Sequence, residues 1–251
     1  MAISVLIPAR DEGPRVAATV HAALEALPGA RVLVVDGGSR DDTALQARRA
    51  GARVVPQRGT GYAGALLSGY QALLDSPVRF VVQLDADGQH PASHAPRLLT
   101  ALGPGRHLAL GSRHGTSSPG PWSRRAGNLL LAGLVHGLTG TLLHDVTSGF
   151  WAMDRHALDL LARHLPDDCA DANVRVLAVR LGLAPVEVAV PMVSRSSGRS
   201  MHDGWRGAAN FATSVRRTVQ AGRQPVVIPG QVGPSREGVS GTLHDAWGAP
   251  G

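Results

Sequence analysis

Short apolar segments that alternate with amphipathic segments constrain the fold of this chain more than any other feature. The apolar segments of the first half are rich in Val and Leu and predict strands at Ile3–Pro8, Arg31–Val35, Ala52–Val55 and Arg79–Leu84. The segments between them have helical spacing and predict helices at Arg15–Leu27, Asp42–Ala50 and Gly64–Leu74. Strands that are apolar along their whole length are typical of a sheet with helices on both faces. The sequence therefore predicts an α/β domain with a mostly parallel, Rossmann-like central sheet.

The second half continues the alternation less regularly. It predicts helices at Ala95–Leu102, Ala126–Leu138, Asp154–His164 and Asp171–Leu181, strands at His107–Leu110 and Val186–Val190, and a loop at Arg113–Arg125. From about Gln224 the chain is rich in Pro, Gly and Ser without a period, which predicts disorder. We expect one domain over residues 1–222 and a disordered tail over 223–251.

Composition narrows the classes of protein to which the chain can belong. A length of 251 residues is enough for one well-buried core, and the single Cys169 excludes an internal disulfide framework. The net charge of +6 comes from arginines, which suit phosphate recognition. Because they are scattered and aromatic residues make up only 4% of the chain, we expect no nucleic-acid partner.

Membrane and export signals are weak. The longest apolar stretch, Leu129–Leu143, is broken by Gly and His and is shorter than the roughly 20 residues of a spanning helix. The N-terminal residues do not show a basic segment followed by a long apolar region, so we expect no signal peptide. The sequence predicts a cytoplasmic protein without a transmembrane segment, able to rest on the inner face of a membrane.

A short acidic motif follows the fourth predicted strand and indicates chemistry. It reads Asp85-Ala86-Asp87-Gly88-Gln89-His90-Pro91. Two carboxylates one residue apart in an extended segment point the same way, and the amide oxygen of Gln89 can join them. Such oxygen sites suit Mg²⁺ or Mn²⁺ shared with substrate phosphates, although two acids can also simply cap a turn. A nucleotide-handling enzyme is the first hypothesis.

Three glycines before the third predicted helix suggest a phosphate loop. Gly59, Gly61 and Gly64 lack the lysine of a P-loop and do not follow the first strand, as a dinucleotide fingerprint would. Lining of a nucleotide pocket and simple close packing therefore both stay open for these residues.

Several segments in order resemble the family 2 glycosyltransferases of GT-A fold, and most closely the dolichyl- and polyprenyl-phosphate mannosyl- and glucosyltransferases. The resemblance covers residues 3 to about 203 and rests on Leu6–Glu12, Val34–Thr43, Gly59–Ala65, Leu84–Pro91, Gly111–Arg113, Asp145–Phe150 and Arg195–Ser200. Each motif alone is weakly specific, but seven in this order identify the family.

The resemblance implies a binding site for a nucleoside-diphosphate sugar. The residues expected to contact the donor are Pro8, Ala9, Glu12, Asp36, Gly38, Asp85, Arg195 and Ser200. The metal ligands would be Asp85, Asp87 and Gln89, holding Mg²⁺ or Mn²⁺ against the diphosphate. A helix-terminal charge remains the alternative role for Glu12, and a turn role remains for Asp36. Relatives usually carry Lys where this chain has Met201, although nearby Arg199 offers a cation.

The resemblance also implies an acceptor site after the Gly-Ser-Arg strand end. Arg113, with Arg124 or Arg125, would hold a lipid phosphate, and Ser148 would lie beside it. Solvated surface charge is the alternative role of Arg124 and Arg125. The residues assigned to catalysis are Asp87, Asp145 and Arg113.

The acceptor decides whether a general base is needed. An ionised lipid phosphate is already a nucleophile, whereas a sugar hydroxyl requires a carboxylate near the anomeric carbon. Asp145 and Asp171 are the candidates, and Asp171 can equally cap a helix.

The leading hypothesis is an inverting, metal-assisted transfer of a hexose from GDP-mannose or a UDP-sugar to a polyprenyl phosphate. Three alternatives remain: a glycosyltransferase acting on a soluble hydroxyl acceptor, a nucleotidyltransferase, and a non-catalytic nucleotide-sugar-binding protein. The sequence leaves the sugar, the base and the oligomeric state open.

Overall fold

A seven-stranded sheet organises the fold. The computed structural model describes residues 2–116, 122–167, 171–192 and 205–223. The strands are β1 Ile3–Ala9, β2 Arg31–Asp36, β3 Arg53–Pro56, β4 Phe80–Gln83, β5 Leu108–Ser112, β6 Trp151–Asp154 and β7 Val186–Ala189. The α-helices of the described residues are α1 Gly13–Ala26, α2 Thr43–Arg49, α3 Gly61–Leu74, α4 Ala95–Ala101, α5 Trp122–Thr139, α6 Arg155–His164, α7 Asp171–Arg180 and α8 Trp205–Arg223.

The strand order is β3-β2-β1-β4-β6-β5-β7. All neighbouring strands pair in parallel except β6, which is antiparallel to both β4 and β5. The predicted mostly parallel α/β sheet is therefore confirmed. As a consequence, the carboxyl ends of β1, β2, β4, β5 and β7 and the amino end of β6 lie along one edge.

Buried side chains alternate between the two faces of the sheet. Along β1, Val5 and Ile7 pack in a cluster with α1, α2 and α4, whereas Leu6 packs in a cluster with α3, α5, α6 and α7. Both clusters contain fully buried side chains, which explains why the strands are apolar without interruption. Helices therefore pack on both faces of the sheet and fix the position of the edge where the strands end.

Three elements differ from the sequence prediction. Strand β6 was not predicted, because four residues between a loop and a helix give too short a pattern. Helix α8 was also not predicted, and it packs against α5 and α7. Helix α5 begins at Trp122, inside the segment predicted as a loop. Arg223, the first residue of the predicted tail, ends α8, and the rest of that tail lies outside the described residues. No described helix is long and apolar enough to cross a membrane.

Candidate active site

The predicted donor and acceptor motifs meet at the shared sheet edge. Ala9 ends β1 and lies opposite Asp36, which ends β2. The acidic motif begins two residues after the end of β4, and Arg113 directly follows β5. Segment 145–150 leads into the amino end of β6, so it arrives at the same edge from the opposite direction. The topology therefore brings together motifs that are far apart in the sequence.

The loops after β1 and β2 are bonded to each other. The Gly37 amide donates to the Ala9 carbonyl at 2.8 Å, and the Glu12 amide donates to Thr43 Oγ1 at 2.8 Å. The Gly13 amide donates to Asp41 Oδ2 at 2.9 Å. These bonds fix the two loops relative to each other before any ligand binds. No local sequence pattern predicts them.

The two acids predicted at the nucleotide already have partners within these loops. Asp36 Oδ1 accepts from the amide of Ser39 at 3.2 Å and from its hydroxyl at 2.5 Å. Glu12 Oε2 accepts from Arg15 Nε at 2.7 Å, and Glu12 is buried. By contrast, the backbone at Gly38 is open, since no atom lies within 4 Å of the Cβ that another residue would carry there. The loop can therefore contact a bound ligand through its backbone as well as through its side chains.

Close packing explains one of the three glycines around the start of α3, where Gly59 precedes the helix and Gly61 and Gly64 lie in its first turn. A Cβ at Gly64 would lie 2.8 Å from the Arg58 carbonyl oxygen and 2.9 Å from the Gly59 carbonyl carbon. Both are backbone atoms of the preceding loop, which cannot yield cheaply. A packing requirement is thus sufficient to account for Gly64.

The acidic loop is closed by its own residues. The Asp85 amide donates to His90 Nδ1 at 3.0 Å, and the Gln89 amide donates to Asp87 Oδ1 at 3.0 Å. The ring of His90 is buried and stacks on Phe150, with 5.5 Å between centroids and 15° between planes. Although His90 Nδ1 also lies 3.6 Å from Asp85 Oδ2, an Nδ1 that accepts from an amide carries no proton to share in an ion pair. His90 therefore fixes the loop as a hydrogen-bond acceptor.

The surroundings of Asp85 fit a divalent cation shared with a phosphate. The Asp85 side chain is 35% exposed. A Cβ on Gly149 would lie 3.0 and 3.1 Å from its two carboxylate oxygens, so the absence of a side chain at Gly149 keeps that face open. Asp85, Asp87 and Gln89 supply only oxygen ligands, as Mg²⁺ and Mn²⁺ prefer. Within the described residues no cluster of three or more His, Cys, Asp or Glu side chains forms a metal cage.

A chain of hydrogen bonds runs from the core to Asp85. The hydroxyl of buried Tyr70 donates to Gln83 Oε1 at 2.7 Å, and Gln83 Nε2 donates to the Tyr62 hydroxyl at 3.2 Å. The Tyr62 hydroxyl in turn donates to Asp85 Oδ1 at 3.4 Å. Sequence reasoning missed Tyr62 and Gln83. A glutamine at the end of an otherwise apolar strand was the available signal, because a buried amide needs partners.

Arg113 is bound to Asp145 on the acceptor side of the edge. Its Nε lies 2.7 Å from Asp145 Oδ2, its Nη2 lies 2.7 Å from Oδ1, and its amide donates to Oδ2 at 2.9 Å. Nη2 also donates to Thr147 Oγ1 at 2.6 Å. Burial, the largest influence on the Asp145 carboxyl, favours the neutral acid, but hydrogen bonds and charge from Arg113 outweigh it and lower the pKa. Asp145 thus resembles a positioning anion more than a general base.

Glu187 supports this pair from β7 and was not predicted. It accepts from the His144 amide, from His144 Nδ1 and from the Asp145 amide, each at 2.8 Å. Burial alone would raise the pKa of Glu187, but the bonds from His144, Asp145 and Ser112 together lower it. The His144 ring also stacks on His114, with 4.0 Å between centroids. A single acid in the apolar strand Val-Glu-Val was the only sequence signal.

Ser148 lies inside the protein. Its carbonyl oxygen accepts from Trp151 Nε1 at 2.7 Å and from the guanidinium of Arg175, which lies 4.4 Å from the Trp151 ring centroid. Its hydroxyl accepts from the Phe150 amide at 3.3 Å, and the residue is buried. These contacts indicate that Ser148 and Arg175 hold the shape of segment 145–150.

The remaining predicted residues are less defined. Arg125 is exposed on α5. Arg124 and Asp171 lie near the beginnings of α5 and α7, where the structure describes the backbone. Arg195, Arg199 and Ser200 lie outside the described residues.

Comparison with known proteins assigns the family. The sequence model described as Glycosyl transferase family 2 matches residues 4–161, more than half of the chain. The chain belongs to glycosyl transferase family 2. This family 2 glycosyltransferase is 32% identical over 213 residues to the polyprenol monophosphomannose synthase of Mycolicibacterium smegmatis, covering 80% of each chain. It is 31% identical over 218 residues to the undecaprenyl-phosphate mannosyltransferase of Micrococcus luteus, covering 81% of this chain and 88% of the relative.

Solved structures agree on the fold of this family 2 glycosyltransferase. One is glucosyl-3-phosphoglycerate synthase from Mycobacterium tuberculosis in complex with Mn²⁺, UDP-glucose and phosphoglyceric acid. The TM-score is 0.66 and the identity 23%, over 90% of this chain and 81% of that one. The predicted GT-A fold and the predicted glycosyltransferase class are both confirmed.

Proposed function

We propose that this glycosyltransferase moves a hexose from a nucleoside-diphosphate sugar to a polyprenyl phosphate, with inversion and with the assistance of Mg²⁺ or Mn²⁺. One observation carries the proposal: segment 145–150 borders both the acidic motif and Arg113. Gly149 faces the Asp85 carboxylate, and Asp145 holds Arg113. Four extended residue steps span at most about 14 Å, so the two places are close enough to border a single site.

The donor half of the proposal rests on the acidic motif and the two bonded loops. Asp85, Asp87 and Gln89 would hold the cation, which when bound would neutralise charge on the departing nucleoside diphosphate. The loop from Ala9 to Glu12 and the open backbone at Gly38 are proposed to contact the base and ribose. His90 and Tyr62 would keep Asp85 in place during transfer.

The acceptor half rests on the state of Asp145. A hydroxyl acceptor needs a base that is free to take a proton. Asp145 is instead engaged by Arg113 at both carboxylate oxygens, and its pKa is lowered. A phosphate acceptor needs no base, and the planar guanidinium of Arg113 suits a phosphate. Relatives whose names include polyprenol and undecaprenyl phosphate support this acceptor class.

The test is transfer from radiolabelled GDP-mannose and UDP-glucose to a short-chain polyprenyl phosphate, with Mg²⁺ or Mn²⁺ and with chelator. We expect a lipid-linked sugar only when the cation is present, and inversion by NMR of the product. A double variant Asp85→Asn/Asp87→Asn should lose transfer, whereas Asp75→Asn at the exposed end of α3 should not. If the enzyme transferred sugar only to hydroxyl acceptors, the proposed polyprenyl-phosphate acceptor would be wrong. Donor binding without any transfer would contradict the whole proposal.

A further inference from the structure

Three large apolar side chains stand in solvent beside the acceptor half of the site. Leu129 is 73% exposed, Leu130 is 65% exposed and Leu142 is 62% exposed. We call these three residues the leucine patch. Single exposed leucines are ordinary, but a group on one helix and the turn after it marks an interaction surface.

Helix α5 has its apolar residues on the core side as well. Leu131, Ala132 and Val135 of the same helix are buried in the core cluster, and α5 packs against α7 and α8. A helix that only covers a core would carry charged residues on its outer face. Packing against the described residues therefore does not explain the exposed leucines at 129 and 130.

The charged residues of α5 all have one sign. The helix Trp122–Thr139 contains arginines and a histidine but no Asp or Glu. Among its outer residues, Arg125 and His136 are exposed along with the leucines. Exposed leucines with cations and without anions are typical of helices that lie on anionic lipid surfaces. The net charge of +6 adds to the same attraction.

Asn128 joins the leucine patch to the acceptor site. Its Nδ2 donates to the His144 carbonyl at 2.5 Å, and its Oδ1 accepts from the Val146 amide at 3.1 Å. The residue directly before Leu129 is therefore bonded to both neighbours of Asp145. Leu142 lies only two residues before His144. Whatever covers the leucine patch comes to rest next to the Arg113–Asp145 pair.

We propose that the leucine patch docks the protein on the surface of an anionic phospholipid leaflet. This inference rests on the proposed function, because docking there brings a membrane-embedded phosphate to Arg113. The leucines insert among the acyl chains and the cations of α5 meet the lipid phosphates. No spanning segment is needed for this contact, and it is reversible.

The first test is co-sedimentation with vesicles of phosphatidylglycerol and phosphatidylcholine, compared with phosphatidylcholine alone. The double variant Leu129→Glu/Leu130→Glu should bind the anionic vesicles at least about tenfold more weakly, since one buried leucine already changes a transfer equilibrium by that factor. Leu142→Glu should weaken binding in the same direction. The matched control is Leu45→Glu on α2, an exposed leucine outside the patch, which should bind as the wild type does. Unchanged melting temperatures would show that each variant is folded.

The second test separates docking from the proposed reaction. The ratio of transfer to vesicle-embedded polyprenyl phosphate over transfer to a short, water-soluble prenyl phosphate should fall at least about tenfold in the double variant. If the wild type transfers to neither acceptor, the proposed function fails while vesicle binding still tests docking. Undiminished vesicle binding by the double variant would overturn the inference. The inference would also be overturned if the wild type did not bind vesicles but formed a dimer that the same substitutions dissociate. A second copy of the chain would then cover the leucine patch.

Discussion

Arg113 and Asp145 form a two-point ion pair at the sheet edge, with Nε–Oδ2 and Nη2–Oδ1 distances of 2.7 Å. The Asp145 side chain is almost wholly buried, whereas the Arg113 side chain is 27% exposed. The pair therefore fixes the direction of Arg113 while leaving part of it accessible to an anion. We infer that Asp145 acts through Arg113, as a positioning residue rather than as a base.

Replacing Arg113 with Lys should lower kcat/KM for a polyprenyl-phosphate acceptor roughly 10- to 100-fold. A lysine keeps the charge but cannot bind two carboxylate oxygens in a plane, and a hydrogen bond to a charged group contributes about 1.5–3 kcal/mol. Steady-state kinetics with short-chain acceptor measure the change. Arg97→Lys, on the exposed side of α4, is the matched control. Equal losses in both variants would contradict the special position of Arg113.

Buried Asp145 and half-buried Glu187 should make stability depend on pH. The pKa values of Asp145 and Glu187 are lowered from their usual values of 3.8 and 4.5. Their contribution is therefore complete above the unfolded pKa and is lost as the pH falls through the folded one. Glu187→Gln should lower the free energy of unfolding at pH 7 by roughly 1.5–3 kcal/mol. The new amide NH₂ group would face the N–H donors of His144 and Asp145, from which the carboxylate accepts hydrogen bonds. The difference from wild type should shrink below about pH 4.

Denaturant unfolding at several pH values measures this dependence. Asp75→Asn removes an exposed carboxylate and should leave the curve unchanged. If the free energy of unfolding differed between Glu187→Gln and the wild type by a constant amount across the acid range, the pH dependence would come from a group other than Glu187.

The sequence predicted those parts of the site that follow directly from strand order. Asp36, Asp85 and Arg113 all lie at the ends of apolar runs, and parallel strands necessarily deliver such ends to one edge. The acidic motif was readable because its ligands are two residues apart. A local pattern was enough in each case.

Contacts between distant segments were not predictable in this way. Arg113 and Asp145 are 32 residues apart, and Glu187 reaches Asp145 from 42 residues away. Both contacts depend on β6, a four-residue antiparallel strand whose pattern is too short to recognise. Without β6, no local pattern predicts that segment 145–150 lies between the acidic motif and Arg113, and only the family resemblance placed Asp145 and Ser148 near Arg113.

Tyr62→Phe should weaken Mn²⁺ binding several-fold while leaving the fold intact. The hydroxyl of Tyr62 lies between Gln83 Nε2 and Asp85 Oδ1, so its removal frees the Asp85 carboxylate to turn. Electron paramagnetic resonance of Mn²⁺ in the presence of nucleoside diphosphate measures binding without turnover. Tyr70→Phe is the matched control, since it removes a hydroxyl that is two hydrogen bonds further from Asp85 than the hydroxyl of Tyr62. A larger effect at Tyr70 than at Tyr62 would indicate a general loss of packing instead.

Gly149→Ala should abolish cation-dependent donor binding with little loss of stability elsewhere in the fold. The new methyl group would lie 3.0 and 3.1 Å from the Asp85 oxygens and 3.2 Å from the Tyr62 hydroxyl. These distances are tighter than most carbon–oxygen contacts, so the Asp85 carboxylate or the backbone of segment 145–150 must move by a few tenths of an ångström. Either movement disturbs the face on which the cation and the diphosphate are proposed to bind.

Isothermal titration with UDP and GDP in Mn²⁺ measures the loss of donor binding in Gly149→Ala. Gly103→Ala supplies the control, because its nearest neighbour is the flexible Arg106 side chain at 3.7 Å. Undiminished nucleotide binding by Gly149→Ala would place the diphosphate away from Asp85.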